Sequence, residues 1–256
     1  MFVRFLELIG ASVLELLYFV GDVMLLFIEA VRQVPIKIRV RHVVNQMSHL
    51  GVDSLPIVSL TLTFTGMVMT LQIANEFIKM GAESTVGGIV AIAIGRELGP
   101  VLVGVVAAGR VGSAMTAEIS TMKVTEQIDA LRVMGTNPTG YLVVPRMLAC
   151  MIMIPVLTIY GDLIGVLGGW LVAKYYAGIS TYVYVDSISH YVVLKDMVGG
   201  LIKAVFFGAV TATLGCYYGM RAPDGAEGVG KATTRSVVSA IVVIFMLNVI
   251  LSMFLY

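Results

Sequence analysis

Charge is what this sequence lacks. Asp, Glu, Lys and Arg make up 13% of the 256 residues, against ~25% in a typical soluble domain. Hydrophobic residues reach 58% and the mean hydropathy is +0.94. One water-soluble core of this length cannot hide so much apolar surface, so lipid must cover the rest. A net charge of +1 removes any electrostatic case for nucleic acid as a partner. Cysteine is scarce as well. Cys150 and Cys216 lie in apolar runs and form no metal-spaced pair, which makes them small buried hydrophobes rather than ligands. His42, His49 and His190 show no H-E-x-x-H spacing, and no G-x-S-x-G occurs. The acids do not cluster as a glycosidase or an intramembrane protease requires, and a lipid-modifying enzyme would need a nucleophile and base that do not converge here. No secretory signal pattern is expected either, because Glu7, Glu15 and Asp22 interrupt the first apolar stretch and no small-residue cleavage site follows it.

Long apolar runs are what the sequence has. Five segments, at about 54–77, 86–109, 141–173, 197–220 and 236–256, are long enough for a hydrocarbon core that needs roughly 20 residues. The third exceeds a simple span and must tilt or project beyond the bilayer. The stretch from Phe5 to Val31 differs: Glu15, Asp22 and Glu29 recur every seven residues, with Glu7 before them. Seven helical steps return almost to the starting angle, so these acids form one polar stripe. The pattern predicts an amphipathic helix lying in the membrane interface, with a sixth spanning helix as the alternative. The expected fold is all-α: a polytopic bundle of five transmembrane helices plus that interfacial helix. It forms a single membrane domain, with 1–50 as interfacial or elbow helices and 51–256 as the five-span bundle, which carries a cytoplasmic helix at about 124–135.

The basic residues orient the chain. Arg32, Lys37, Arg39 and Arg41 precede the first span; Arg110, Lys123, Arg132 and Arg146 separate the second from the third; Arg221, Lys231 and Arg235 separate the fourth from the fifth. Only Lys79, Lys174 and Lys195 lie on the other side. The positive-inside rule then predicts a cytoplasmic N-terminus and a C-terminus on the opposite side. Gly161, Gly165 and Gly169, and again Gly104, Ala108 and Gly112, recur every four residues. Such smooth faces let backbones approach closely in lipid, within a bundle or across a dimer.

Three constellations carry candidate chemistry. Arg96 and Glu97 sit inside the second apolar run, ahead of Gly99 and Pro100. Ionisable residues in lipid must face a cavity or a partner, and Pro100 removes a backbone hydrogen bond beside them. Either Glu97 lines a translocation cavity, or the two charges belong to interhelical ion pairs with partners such as Asp162 and Lys203. Lys203 lies near the outer edge and could instead snorkel. The second constellation is the loop Thr125-Glu126-Gln127-Ile128-Asp129-Ala130-Leu131-Arg132-Val133-Met134-Gly135. Thr125 serves as its expected N-cap, and Gly135 with Pro138 ends the helix. Val124, Ile128, Leu131 and Met134 share one apolar face, suited to a partner's groove, the membrane surface or the chain's own bundle. The third, Gly225 to Lys231, fits G-x-x-x-x-G-K, but Ala232 stands where the magnesium-binding hydroxyl belongs and a membrane helix precedes it instead of a strand. No nucleotide site is expected on this chain.

The runs Gly95-Arg96-Glu97-Leu98-Gly99-Pro100-Val101-Leu102, Ala108-Gly109-Arg110-Val111-Gly112-Ser113-Ala114, Ala117 through Leu131, and Gly225 through Val238 resemble the MlaE (YrbE) permease family. The resemblance runs from about residue 40 to the C-terminus. It implies a homodimeric ABC permease of the inner membrane that moves phospholipid or a related lipid between two membranes. A separate cytoplasmic ATPase binds the ATP and Mg, an MCE-domain protein forms the outward conduit, and a STAS-domain subunit sometimes joins the ATPase. It also implies that Thr125, Glu126, Gln127, Ile128, Asp129, Leu131 and Met134 belong to the coupling helix held by the ATPase. Arg96 and Glu97 match the family's charged pair near the lipid cavity, and Gln72 matches as well. Met69, Glu76 and Phe77 join the cavity list by position alone. A secondary transporter or channel, which needs no ATPase, is the rival reading.

Overall fold

The computed structural model describes residues 2–34 and 40–256, with side chains in the first helix described from Gly10 onward apart from Ser12. Glu7 of the acidic stripe, and Lys37 and Arg39 of the basic flank, lie outside the described residues and side chains. The chain is all-α, with no strand among the described residues. Helix α1 covers Phe2–Gln33 and α2 Val40–Gly51, which passes through one 3-10 turn into α3, Leu55–Lys79. The second span is α4, Glu83–Val124, followed by the short α5, Gln127–Val133. Then come α6, Thr139–Tyr175; α7, Thr181–Tyr191; α8, Leu194–Met220; and α9, Gly225–Leu255. Five helices, α3, α4, α6, α8 and α9, are long and apolar enough to cross a membrane.

Two boundaries differ from the hydropathy reading. Helix α4 continues to Val124 instead of ending near 109, and α9 opens at Gly225 instead of 236. Polar residues end an apolar run without ending a helix when their charges find partners. In α4, Arg110 bonds Ser54 Oγ at 2.9 Å and Asp53 at 3.3 Å, and Glu118 pairs with Arg146 at 2.8 Å. In α9, Lys231 pairs with Glu227 one turn earlier at 2.6 Å. The G-x-x-x-x-G-K run is therefore the first turns of a helix.

Small residues decide how the spans meet. Helix α3 buries one row, Val58, Leu62, Gly66, Thr70 and Ala74, four residues apart. That row lies on the glycine face of α6: a Cβ on Gly66 would run into the Gly165 carbonyl, and one on Gly168 would reach the Thr63 carbonyl at 2.5 Å. The small face of α6 thus serves packing within the chain. Helices α4 and α8 meet likewise, Gly104 against Phe207 and Gly112 against Thr211. Helix α9 is held by a second single row, Gly228, Ala232, Ser236, Ala240 and Ile244, and leaves Val242, Phe245, Met246, Val249 and Phe254 exposed. By contrast α6 and α8 are buried on most sides and form the centre of the bundle.

Helix α1 divides its surface three ways. Leu26 and Ala30 are buried, with Phe19, Val23 and Phe27 packed on the core, while Leu16, Leu17 and Leu25 are exposed. The acidic stripe is partly claimed by the rest of the chain: Arg221 pairs with Asp22 at 2.9 Å, and Asn137 donates to Glu29 Oε1 at 3.0 Å.

Candidate functional site

The alternating spans bring the end of α3, the start of α4, the end of α6, α7, the start of α8 and the end of α9 to one end of the bundle. At this α7 end lies the charged cluster. Within α4, residues Ile94–Leu98 form a π turn, closed by the Gly99 N–H bonding back to Ile94 O. Pro100 explains the local geometry. It has no N–H to give the Arg96 carbonyl, which α-helical spacing would otherwise pair with it. Lys203 Nζ, from α8, donates to that orphaned oxygen at 3.0 Å.

Lys203 spends its other donors on Glu97 Oε1 at 2.7 Å and Ser252 Oγ at 2.7 Å. Glu97 also accepts from Asn248 Nδ2 at 2.9 Å and from the Ser252 hydroxyl at 2.9 Å. Arg96 turns the other way, as adjacent helical residues must, and its Nε and one terminal nitrogen bond Asp196 Oδ1 at 2.8 and 2.7 Å. Asp196 in turn caps the start of α8, accepting from the Val193 N–H at 3.1 Å. Two cations and two anions thus balance towards the α7 end of the bundle, Lys203 lying roughly 14 Å along α8 from Leu194 at the usual helical rise. The side chains of Lys203 and Asp196 are 0% and 2% exposed, those of Arg96 and Glu97 36% and 39%.

The ion-pair alternative for Arg96 and Glu97 is therefore realised, while both keep an exposed edge. Lys203 does not snorkel, since it is fully enclosed by three bonds. Asp162 is no partner: its carboxyl lies against Gly99 and Oδ1 finds no hydrogen bond among the described residues. Of the other cavity candidates, Phe77 packs into the apolar cluster around Val90 and Tyr184, and Glu76 is exposed in a pair with Lys79 at 2.9 Å. Gln72 is exposed and Met69 half-buried; no hydrogen bond among the described residues ties Gln72 or Glu76 to Arg96 or Glu97. Asp196, Asn248, Ser252 and Tyr256 are site residues that sequence reasoning missed. One signal was present: Asn248, Ser252 and Tyr256 recur every four residues in an otherwise apolar run.

At the opposite end, the loop candidate takes a different form from the one expected. Thr125 does not cap α5 but closes α4, its N–H and hydroxyl both bonding Thr121 O. The N-terminal flank of α5 is Glu126, held at φ 59°. The far end follows expectation: Gly135 adopts φ 70°, with Gly135 N bonding Arg132 O and Thr136 N bonding Leu131 O. The apolar face divides between the chain's own bundle and solvent. Ile128 is buried in the chain's own core with Leu131 packed beside it, whereas Val133 and Met134 are 89% and 69% exposed. Asp129 bridges Arg132 and Lys123 at 2.9 and 3.3 Å, while Gln127 lies exposed.

A sequence profile of the family described as Permease MlaE matches residues 43–254. The chain is 42% identical over 220 residues to a protein of Synechocystis sp. named "Probable ABC transporter permease protein", covering 86% of this chain and 84% of that one. A Rickettsia typhi protein of the same description is 42% identical over 214 residues, 84% and 83% of the two chains. The Arabidopsis thaliana protein named TRIGALACTOSYLDIACYLGLYCEROL 1, chloroplastic, is 39% identical over 220 residues, 86% of this chain and 63% of that one. With a profile match over most of its length and relatives this similar, the chain belongs to the MlaE permease family and is a multi-pass permease subunit of the ABC transporter class.

Proposed function

We propose that this permease moves phospholipid or a related lipid between the inner and outer membranes of a double-membraned envelope, as a homodimer in the inner membrane. The observation that carries the reading is the exposed edge of Arg96 and Glu97, set in the outer part of an otherwise apolar span surface. A substrate with acyl tails and a polar headgroup has the same two-part character. A galactolipid forms the name of the Arabidopsis relative, which agrees with a lipid class of cargo.

In this reading the α5 end is cytoplasmic and the α7 end faces outward, with α1 lying in the inner interface. The ATPase that an ABC permease works with is a separate subunit holding ATP and Mg, and it grips the exposed tip of α5 around Val133 and Met134. An MCE-domain protein continues the path outward, and a STAS-domain subunit is an optional companion of the ATPase. ATP-driven closure tilts the bundles through α5 and narrows the cavity between the two copies. The test is to purify the chain with its partner ABC ATPase, then follow ATP hydrolysis and movement of fluorescent phospholipid from loaded vesicles. Phospholipid-stimulated hydrolysis with transfer is expected. A complex that hydrolyses ATP normally yet neither responds to nor moves phospholipid would overturn the lipid assignment.

A further inference from the structure

Tyr256, immediately after α9, lies over both cations of the charged cluster. Its ring centroid is 4.7 Å from the Arg96 guanidinium carbon and 5.1 Å from Lys203 Nζ. Its hydroxyl donates to the Asp196 carbonyl at 3.0 Å, and its backbone N–H bonds Ser252 O at 3.1 Å. The seat is fitted on the other side too, since a Cβ on Gly199 would run into the phenol oxygen. One aromatic side chain therefore touches the site in three ways: its π face meets two cations, its hydroxyl binds the start of α8, and its backbone continues α9.

Those contacts divide the labour of the cluster. Lys203 is saturated and enclosed, so Arg96 is the cation within reach of an incoming anion. Asp196 holds one edge of the Arg96 guanidinium and the Tyr256 ring covers its face, leaving an exposed edge. A ring in that position weakens the hold on a second anion, because a phosphate would have to compete with the π face for the same charge. We propose that Tyr256 is a positioning residue and a specificity determinant. It is a cover on Arg96 that holds α9 against α8 and keeps an anionic headgroup off the guanidinium until the end of α9 moves. The inference rests on the lipid reading above and adds to it the residue that sets headgroup charge preference.

The test compares dioleoylphosphatidylglycerol, which carries a phosphate, with dioleoylglycerol, which has the same tails and none. Each is offered to the purified full chain in neutral detergent micelles, and retained lipid per protein is measured by mass spectrometry. Tyr256→Leu and Tyr256→Met remove the ring, and Tyr256→Phe removes only the hydroxyl. Both ring-removing variants are expected to raise the ratio of retained phosphatidylglycerol to dioleoylglycerol about fivefold, the order of the cation–π contact that the anion no longer has to displace. Tyr256→Phe is expected to leave the ratio near wild type, and adding Arg96→Gln to Tyr256→Leu to abolish the gain. A purely structural role would lower both lipids together, so an unchanged ratio in folded variants overturns the proposal. So does loss of monodispersity in both the Leu and Met variants, which would make the ring a packing element. A wild-type chain that retains neither lipid overturns the lipid reading and this extension together; one that retains phosphatidylglycerol, with no change on losing the ring, overturns the extension alone.

Discussion

Lys203 shows how much one side chain can hold at the residue scale. It bridges the Pro100-orphaned carbonyl to Glu97 and Ser252, and it lies out of reach of water. Truncating one partner of an enclosed pair leaves the other charge and an acceptor unmatched, whereas removing both charges together is far milder. Lys203→Met is therefore expected to cost about 2–3 kcal/mol, discounted for the half-exposed Glu97 partner. Lys203→Met with Glu97→Gln should recover most of that loss, read as the unfolding midpoint in detergent. A double variant no better than the single one would mean that Lys203 acts through its contact with Arg96 O. Part of this site was legible beforehand. Arg96, Glu97 and Pro100 stand together in an apolar run, and intramembrane charge demands a partner. Which partners answer was not legible, because Lys203, Asn248 and Ser252 lie 106, 151 and 155 positions away from Glu97. Only the packing of three spans brings them in.

At the scale of the element, periodicity says that a face is apolar but not what covers it. The stripe through Ile128 and Leu131 has the same signature whether it docks on a partner or on its own bundle, and here it docks on its own bundle. The surface left for an ATPase is the tip with Val133 and Met134. Val133→Asp is accordingly expected to lower lipid-stimulated ATP hydrolysis at least about tenfold without affecting insertion, the scale of losing a buried apolar anchor from an interface. Leu131→Asp should instead destabilise the chain itself. Normal coupling in Val133→Asp would place the grip elsewhere on the loop. The α3–α6 crossing offers a second element-level check. Gly66→Ala drives a methyl group into the Gly165 backbone and should cost about 1–3 kcal/mol, as overpacking does. Gly21→Ala in α1 meets nothing within 4 Å and should gain about 0.5–1 kcal/mol of helix propensity. Both are measured by thermal unfolding. Equal effects would contradict the close approach.

For the whole molecule, orientation is the coarse statement most exposed to a single experiment. The basic residues cluster at the α5 end, and the positive-inside rule predicts that this end faces the cytoplasm. Val133→Cys should therefore react with an impermeant maleimide only in inverted vesicles, and Tyr182→Cys, on the exposed face of α7, only in right-side-out cells. The native thiols Cys150 and Cys216 are both buried, so background is low. The reverse pattern would remove the cytoplasmic coupling scheme. Five apolar runs were readable directly, because lipid imposes length and hydropathy on any span, whereas the short helix α7 between two of them was not. The helical extensions to Val124 and from Gly225 were not, because paired charges keep a helix going where hydropathy falls.

The two single-file rows that hold α3 and α9 have a mechanical consequence. A rod gripped on most sides is fixed, as α6 and α8 are, but a rod seated along one line of small residues can roll about that line while its contacts persist. In α9 the row runs from Gly228 through Ala240 to Ile244 and continues, four residues at a time, into Asn248, Ser252 and Tyr256, so its far end exchanges small apolar contacts for polar ones. Lifting the far end of that row would break the contacts to Glu97 and Arg96 together, so the polar latch closes the same seam that the small residues leave easy to open.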